Sequence, residues 1–472
     1  GTAAPRQPRT IVIFLEQFRL PEFRVKPLFA SLKELVRKTV EEGDAVTVIT
    51  YREKPEVRID GTDDVEAISA VIDEVARESV GVAMPSAAMA YRQAKERREF
   101  EAGSAEMAAR AGVQAAAEDP ETIAVLEAKP FAIQARDEMR RRVNAINGVI
   151  QRLAGIEGRK VLLLATHRLG AYAGAEFFFA AGLNRVPAME HDEFDNRDEV
   201  RAIIDSANDA GVTIYPFYPA GLDVEALGTE LHLRRGDEVV AQNQGVNPED
   251  TTRAIDNLIL INENSMLTEV AAKTGGVASW GTANIANLLP RIADDMTDYY
   301  SLAYRVTAKR DGVPRQIVVK TKNRAYQVRA RREVVEKSDD VRMKDRVAAA
   351  VFGTATDPAF PIVAEVEPVT NGVAPLKVRV PIASLTLVPA EAKFQGAFSV
   401  YVVTANAAGD LSDVTRHTQT FDIAETDLER ADGAHFTYEL GLRVPNTTTR
   451  IGVGVMDEVS KSYGLASVSV TR

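Results

Sequence analysis

The run Thr10-Ile-Val-Ile-Phe-Leu15 decides the fold class of the first part of the chain. It is continuously apolar and rich in β-branched residues, which is typical of a strand buried on both faces of a parallel sheet. Similar runs follow at Ala45–Tyr51, Lys160–Ala165 and Val212–Tyr218. Helical patterns lie between these runs, so the sequence predicts an α/β domain with a central, mostly parallel sheet between helices.

The helical patterns alternate with the strands over roughly the first 300 residues. Val25–Glu42 has an apolar stripe and stops at Gly43, and Asp60-Gly-Thr-Asp-Asp supplies turn and cap residues before a helix over Val65–Glu78. Three later helices are predicted by the same reasoning, over Asp198–Ala210, within Ile259–Lys273 and over Ala283–Met296. This order of elements is that of repeated βαβ units.

The segment Met84–Asn147 departs from this alternation. It is rich in Ala, Glu, Arg and Met and predicts a helical insertion, in which a helix starts near Pro120. Two roles stay open for it, a solvated hairpin and a partner-binding arm. Its methionines suit an adaptable binding surface, and they are Met84, Met89, Met107 and Met139.

The pattern changes to period two after residue 298. Tyr299–Val306, Gln316–Thr321 and Tyr326–Arg331 are expected to be strands beside the first sheet. A charged helix follows, and from Asp357 onward short strands recur at regular spacing, which predicts an all-β sandwich. The predicted domains are therefore an α/β domain over 8–333 with the insertion at 84–147, a connector over 334–356, and a β-sandwich over 357–472.

Composition narrows the classes of function. The 472 residues include 57 Lys and Arg against 68 Asp and Glu, a net charge of −11 that argues against nucleic acid as a partner. The absence of cysteine excludes thiolate metal sites and cysteine nucleophiles. No apolar run approaches the roughly 20 residues of a membrane-spanning helix. No signal peptide opens the given chain, and we expect a periplasmic or extracellular protein, with the cytoplasm as the alternative.

Five segments, taken in order, resemble the von Willebrand factor A fold and, within it, the bacterial VWFA-related acidobacterial family. They are Gly158-Arg-Lys-Val-Leu-Leu-Leu, Ala207-Asn-Asp-Ala-Gly-Val-Thr-Ile-Tyr, Leu267-Thr-Glu-Val-Ala-Ala-Lys-Thr-Gly-Gly, Ile292-Ala-Asp-Asp-Met-Thr-Asp-Tyr-Tyr-Ser-Leu-Ala-Tyr and Val328-Arg-Ala-Arg-Arg. The resemblance covers about residues 8–333 without the insertion. It implies a von Willebrand factor A-like domain, and similar proteins often carry a β-rich domain after it.

Many domains of this fold hold Mg²⁺ or Ca²⁺ with an Asp-x-Ser-x-Ser run after the first strand and with a Thr and an Asp from later loops. This chain instead has Leu15-Glu-Gln-Phe-Arg after the first strand and Thr166-His-Arg after the strand Val161–Ala165, and its plausible Thr is Thr62. Most of the hard oxygen ligands are thus missing. We expect a degenerate site without metal and no cofactor.

The carboxyl ends of the parallel strands are still the expected binding surface of such a sheet. The residues expected to cluster there are Glu16, Gln17, Thr62, Asp63, His167 and Arg168. The favoured function is a non-enzymatic protein-binding or scaffold protein with an unidentified protein partner. Two alternatives stay open, a metal-dependent adhesion module that uses Glu16, Thr62 and Asp63, and a hydrolase that uses His167.

Overall fold

A computed structural model of the protein describes most of both predicted domains. The described residues are 8–17, 22–80, 120–166, 169–180, 183, 191–218, 262, 265–278, 288–297, 312–323, 325, 328–352, 358–391, 393–407, 411–431 and 433–470. The statements below concern these residues. In this part of the chain no helix is both long enough and apolar enough to cross a bilayer.

A five-stranded sheet forms the centre of the first domain. Its strands are β1 (Arg9–Glu16), β2 (Ala45–Tyr51), β3 (Pro55–Thr62), β4 (Arg159–Ala165) and β5 (Val212–Phe217). They lie in the order β3-β2-β1-β4-β5, and all neighbours are parallel except β3, which runs antiparallel to β2. The predicted mostly parallel sheet is confirmed.

Strand β3 is the element of this sheet that the sequence pattern does not predict. Residues 60–62 were expected to form a turn, yet they end an edge strand whose side chains are half-buried or exposed. An edge strand with so little buried surface has no apolar run to mark it, and Pro55 stands at its first position, where the sheet tolerates a missing N–H group. The predicted cap is present, since the Asp64 carboxylate accepts a hydrogen bond of 2.9 Å from the Ala67 N–H.

Helices cover both faces of the sheet. The longer ones are α1 (Glu22–Thr39), α2 (Val65–Ser79), α3 (Pro120–Ala154), α6 (Arg197–Ala210), α7 (Leu267–Thr274) and α8 (Leu288–Thr297), and the short ones are α4 (Ala175–Ala180) and α5 (His191–Phe194). Helices α1, α2 and α8 share one core with the sheet, whereas α3, α6 and α7 share the core on the other face. This two-sided burial explains the continuous apolar runs in β1 and β4.

Helix α3 begins at Pro120, as expected, but it is not a separate arm. Its second half packs on the central sheet through a buried stripe of Met139, Val143, Ile146 and Ile150. Met139 is therefore part of the core of the domain and is not available to a partner. The other methionines of the predicted insertion, at 84, 89 and 107, lie outside the described residues.

A small ribbon replaces the strands expected after residue 311. Strands β6 (Pro314–Gln316) and β7 (Glu333–Val335) pair antiparallel, and the remaining described residues of the predicted strands Gln316–Thr321 and Tyr326–Arg331 are irregular. Side chains such as Val318 are largely exposed there, so the period-two pattern has no packed face to stabilise a longer strand. The predicted strand Tyr299–Val306 lies outside the described residues.

Two antiparallel sheets make up the C-terminal region. One contains β10 (Val388–Ala390), β11 (Lys393–Asn406), β12 (Thr415–Ala424), β14 (Thr448–Asp457) and β15 (Tyr463–Ser469), and the other contains β8 (Val363–Val366), β9 (Val373–Pro381) and β13 (His435–Arg443). The short helix α10 spans Leu428–Ala431. Residues from both sheets share one apolar core, which confirms the expected antiparallel β-rich region.

The charged helix of the connector, α9 (Asp339–Ala350), packs on the outside of the larger C-terminal sheet. Its Met343 and Val347 are buried beside Tyr401 and Met456. On its other side α9 meets the end of α3, where a Cβ atom on Gly155 would lie 2.4 Å from the Asp345 carbonyl oxygen. The boundaries at residues 333 and 357 stay predictions.

Candidate functional site

A buried ion pair occupies the carboxyl end of β1, where the resemblance places the metal site. Glu16 ends the strand and its carboxylate is buried. The Arg142 guanidinium donates to Oε1 of Glu16 from Nε at 2.9 Å, and its second nitrogen lies 2.9 Å from the same oxygen. The Thr166 hydroxyl donates to Oε2 at 2.8 Å. Both carboxylate oxygens are therefore engaged within the protein.

Three different elements bring these groups together. Glu16 comes from the central strand, Arg142 from helix α3, and Thr166 from the position directly after β4. The Thr166 N–H donates to the Phe217 carbonyl at 3.1 Å, which continues the ladder between β4 and β5 and fixes the hydroxyl over the strand end. All three residues are at least 94% buried, so the pair is protected from water.

This arrangement disfavours a cation. Mg²⁺ and Ca²⁺ need free carboxylate and hydroxyl oxygens, whereas the oxygens of Glu16 already accept hydrogen bonds from Arg142 and Thr166. A cation would also have to displace a buried guanidinium of the same charge sign, and separating a buried ion pair is costly. Elsewhere in the described ranges, no three His, Asp or Glu side chains converge in a way that could hold a metal ion.

Tyr51 forms an aromatic wall beside the ion pair. Its ring stacks on Phe14 with a centroid distance of 5.7 Å. Burial raises the pKa of the Tyr51 phenol, the nearby Arg142 lowers it by a smaller amount, and Glu16 raises it again. The phenol is therefore neutral at physiological pH, and the charges around it belong to Glu138, Arg141, Arg142 and Glu16.

Gln17 lies at the same edge of the sheet and faces outward. Its N–H donates to the Tyr51 carbonyl at 2.7 Å, and its side-chain amide donates to Glu78 at 3.0 Å. The Arg58 guanidinium also binds Glu78, and this hydrogen bond lowers the pKa of the Glu78 carboxyl, although slight burial opposes it. Gln17 is thus held in a polar network at the rim of the strand-end surface.

Thr62 and Asp63 do not join this surface, so the expected six-residue cluster is wrong in this respect. Strand β3 runs antiparallel, which places Thr62 opposite Val46 at the amino-terminal end of β2. Asp63 lies at that same far edge, where its carboxylate accepts a hydrogen bond of 2.8 Å from the Gly43 N–H. The other two members of the expected cluster, His167 and Arg168, lie outside the described residues.

Arg142 belongs to this site, although no sequence motif marks it. It follows Met139 by three positions and precedes Val143 and Ile146 on the buried stripe of α3, where a cation requires a buried partner. An arginine on an otherwise apolar helical stripe is therefore the sequence feature that indicates a buried acidic partner. The crevice beside Arg142, between α3 and the loop at Tyr172, has a volume of only about 10 Å³, room for about one water molecule.

No protein-family model and no curated protein matches the chain. Similar solved structures include an aerotolerance-related membrane protein from Bacteroides fragilis NCTC 9343 with multiple mutations to serines, which is 12% identical over 61% of this chain and 98% of that chain, with a TM-score of 0.25. BatB from Bacteroides thetaiotaomicron is 10% identical over the same shares, with a TM-score of 0.26.

The three N-terminal domains of the type V pili tip protein Mfa5 from Porphyromonas gingivalis are also similar. They are 19% identical over 19% of this chain and 17% of that chain, with a TM-score of 0.14, so the match spans a small part of the Mfa5 chain. Within the present structure, a mostly parallel sheet lies between two layers of helices, in the architecture that the five sequence segments imply. The first domain has a von Willebrand factor A-like fold.

Proposed function

We propose that this is a non-enzymatic protein-binding or scaffold protein whose von Willebrand factor A-like domain recognises a protein partner without a bound cation. The observation that carries the proposal is the buried cluster of Glu16, Arg142 and Thr166. In this cluster the protein's own guanidinium takes the place of a cation at the strand end. The charge of Glu16 is therefore balanced before any partner arrives.

The same cluster argues against the alternative of a modified metal site. That alternative relies on Glu16, Thr62 and Asp63, but the last two lie at the opposite edge of the sheet. Side chains at opposite edges of the sheet are too far apart to coordinate the same ion. Glu16 also makes a poor general base, since its carboxylate is buried and held by two donors. We propose no cofactor and no enzymatic activity for this site.

The proposed contact surface surrounds the buried pair. Gln17, Glu138 and Arg141 are at least partly exposed. Their amide, carboxylate and guanidinium groups suit the polar rim of a protein–protein interface. The neighbouring crevice is too small for a ligand of drug size, so recognition there relies on surface shape and charge. The proposed place of action is the periplasm or the cell exterior, which the lack of cysteine permits.

Affinity capture with and without a chelator tests this proposal. The full chain is immobilised and exposed to an extract of the organism that encodes it, in parallel buffers with EDTA and with Mg²⁺. We expect the same protein in both eluates. Arg141→Glu should lower its recovery about tenfold, because it reverses a charge at the proposed contact surface.

Arg37→Glu is the matched control, since it makes the same charge change at an exposed position in the last turn of α1. It should leave recovery unchanged. A partner that is recovered with Mg²⁺ and lost with EDTA would instead favour the metal-dependent adhesion module. Equal losses with both variants would show that the partner binds away from the strand-end surface.

A further inference from the structure

Strand β13 lies at the edge of the smaller C-terminal sheet. It pairs antiparallel with β9 over all nine of its residues without a register shift, and no other strand in the described part of the chain pairs with it. An edge strand presents a row of backbone N–H and carbonyl groups that can pair with a strand of another chain. The outer edge of β13 is therefore a candidate interaction surface.

Backbone hydrogen bonds next to β13 show which residues face this outer edge. The Val444 N–H donates to the Gly372 carbonyl at 2.9 Å. At the other end, the Ile382 N–H donates to the Ala434 carbonyl at 3.0 Å. Even-numbered residues thus point toward β9, and alternate residues of an antiparallel strand direct their backbone groups to opposite sides. The backbone groups that point outward belong to the odd-numbered residues, namely His435, Thr437, Glu439, Gly441 and Arg443.

The inner face of β13 leaves apolar surface uncovered at the same edge. Its apolar side chains pack on the core between the two sheets but are only half-buried, whereas the core-facing side chains of the neighbouring β9 are buried. The half-buried residues are Phe436, Tyr438, Leu440 and Leu442. A strand added beside β13 would cover part of this surface, and the burial of apolar surface favours association.

Strand β3, at the edge of the central sheet, is built differently. Pro55 stands at its start, and its pairing with β2 contains two register shifts. Proline and irregular pairing are common means by which an edge strand avoids further partners. Strand β13 has neither of them. Its outer edge carries one acidic and one basic side chain, Glu439 and Arg443, together with His435.

The charges on this edge are complementary to those of a second copy of the chain. Glu439 and Arg443 lie two residues on either side of Gly441. When two copies of β13 meet antiparallel with Gly441 at the centre, Glu439 of each copy therefore lies opposite Arg443 of the other. Opposite charges at facing positions stabilise a sheet, whereas a centre at Glu439 would place two carboxylates opposite each other. A glycine within a strand also allows close approach of another backbone.

These two charges are weakly engaged within the chain. Both residues are exposed. The Glu439 carboxylate lies 3.8 Å from Nζ of Lys377, which pairs more closely with Glu367 at 2.7 Å. Within the described ranges no carboxylate forms an ion pair with Arg443. Both groups can therefore contact a second copy without breaking a close internal pair.

We propose that the chain forms a symmetric dimer in which the β13 strands of two copies pair antiparallel around Gly441. The two smaller C-terminal sheets then join into one continuous sheet. Residues 439, 441 and 443 direct their backbone groups toward the second copy, and each facing pair of residues exchanges two hydrogen bonds. The contact is isologous, as two-fold symmetry requires. The dimer does not depend on the strand-end surface of the first domain.

Sedimentation velocity of the full chain over a concentration series tests the proposal, with hydrogen exchange followed by mass spectrometry at the same concentrations. We expect a monomer–dimer equilibrium, and exchange of the β13 amides should slow as the dimer forms. Glu439→Pro removes an N–H group at the outer edge and leaves the ladder with β9 intact. It should weaken dimerisation about tenfold or more, because it removes central hydrogen bonds and a facing charge pair.

Asp422→Pro is the matched control, at the edge of the larger sheet. On β11 the Ala397 carbonyl accepts a hydrogen bond of 2.9 Å from the Glu458 N–H, so the odd-numbered residues of β11 point away from β12. Asp422 stands opposite Gln395 and therefore directs its N–H to the outer edge of β12. The control makes the same change from an acid to proline at an edge, and it should dimerise as the wild type does.

Charge exchange tests the register of the two strands. Glu439→Arg should weaken dimerisation about tenfold, since it places like charges opposite each other at two symmetric positions. The double variant Glu439→Arg with Arg443→Glu should restore most of the lost affinity, because opposite charges face each other again. A double variant that dimerises no better than Glu439→Arg alone would contradict pairing around Gly441.

Three other results overturn the proposed dimer. The first is a chain that stays monomeric at every concentration, which would leave the test of the strand-end surface unaffected. The second is a dimer that Asp422→Pro weakens as much as Glu439→Pro does. The third is a dimer whose formation does not slow exchange in β13, since its contact would lie elsewhere. Should Glu439→Pro fail to fold, the exchange of the wild type and the charge variants still decide.

Discussion

Replacing Arg142 by methionine is expected to lower the free energy of unfolding by about 3–5 kcal/mol. The substitution keeps an unbranched side chain of similar length on the buried stripe of α3, so the loss of packing is small. What remains is the Glu16 carboxylate, buried and without its guanidinium. An uncompensated buried charge carries most of the expected cost. Urea unfolding followed by circular dichroism measures it.

Two further variants separate the contribution of the buried charge to stability from the contribution of packing. Arg140→Met, two residues earlier on the same helix, removes an exposed pair with Glu199 and should cost less than about 1 kcal/mol. The double variant Glu16→Leu with Arg142→Met removes both charges and should recover most of the stability lost in Arg142→Met. If Arg140→Met and Arg142→Met lowered the free energy of unfolding by the same amount, Glu16 and Arg142 would not form a buried ion pair.

Asp44→Asn is expected to cost about 3–5 kcal/mol at neutral pH, because it breaks a second buried ion pair at the other edge of the sheet. The Arg9 guanidinium contacts the Asp44 carboxylate at 2.6 Å, and both side chains are almost fully buried. Arg9 also donates to the Met296 carbonyl at 3.1 Å, which joins β1 to α8. Asp294→Asn, which removes an exposed pair with Lys38, should change stability by less than about 1 kcal/mol.

The cost of Asp44→Asn should depend on pH. Burial by itself raises the pKa of Asp44, but hydrogen bonds from Arg9 and from the Glu41 N–H outweigh burial and hold the pKa below its usual value. A carboxyl with a lowered pKa stabilises the folded state above its unfolded pKa and loses this contribution as the pH falls through its folded pKa. The difference between wild type and variant should be constant above about pH 5 and shrink below about pH 4. A difference that grows in acid would contradict this account.

Sequence patterns predicted the buried parts of the fold well. Strands β1, β2, β4 and β5 are almost fully covered, so each appears as a largely apolar run rich in β-branched residues. The same logic fails at the edges of the structure. Strand β3 and the ribbon of β6 and β7 are half-exposed, and strands with little buried surface leave no periodic signal.

The candidate site was harder to predict because it depends on strand direction and on long-range pairing. Thr62 was placed with Glu16 because the resemblance calls for a Thr from a later loop, and the antiparallel direction of β3 separates the two residues. The partner of Glu16 stands 126 positions away on α3, at a distance that no local motif spans. A charge on an otherwise apolar helical stripe is the one feature that pointed to it.

Titration of the full chain with Mg²⁺ by isothermal calorimetry tests the central claim most directly. The claim is that Arg142 neutralises Glu16 and that the strand-end surface acts without a metal ion. The account predicts no saturable heat of binding up to millimolar cation, in the wild type and in Glu16→Gln alike. A one-to-one transition at micromolar Mg²⁺ that Glu16→Gln abolishes would contradict it.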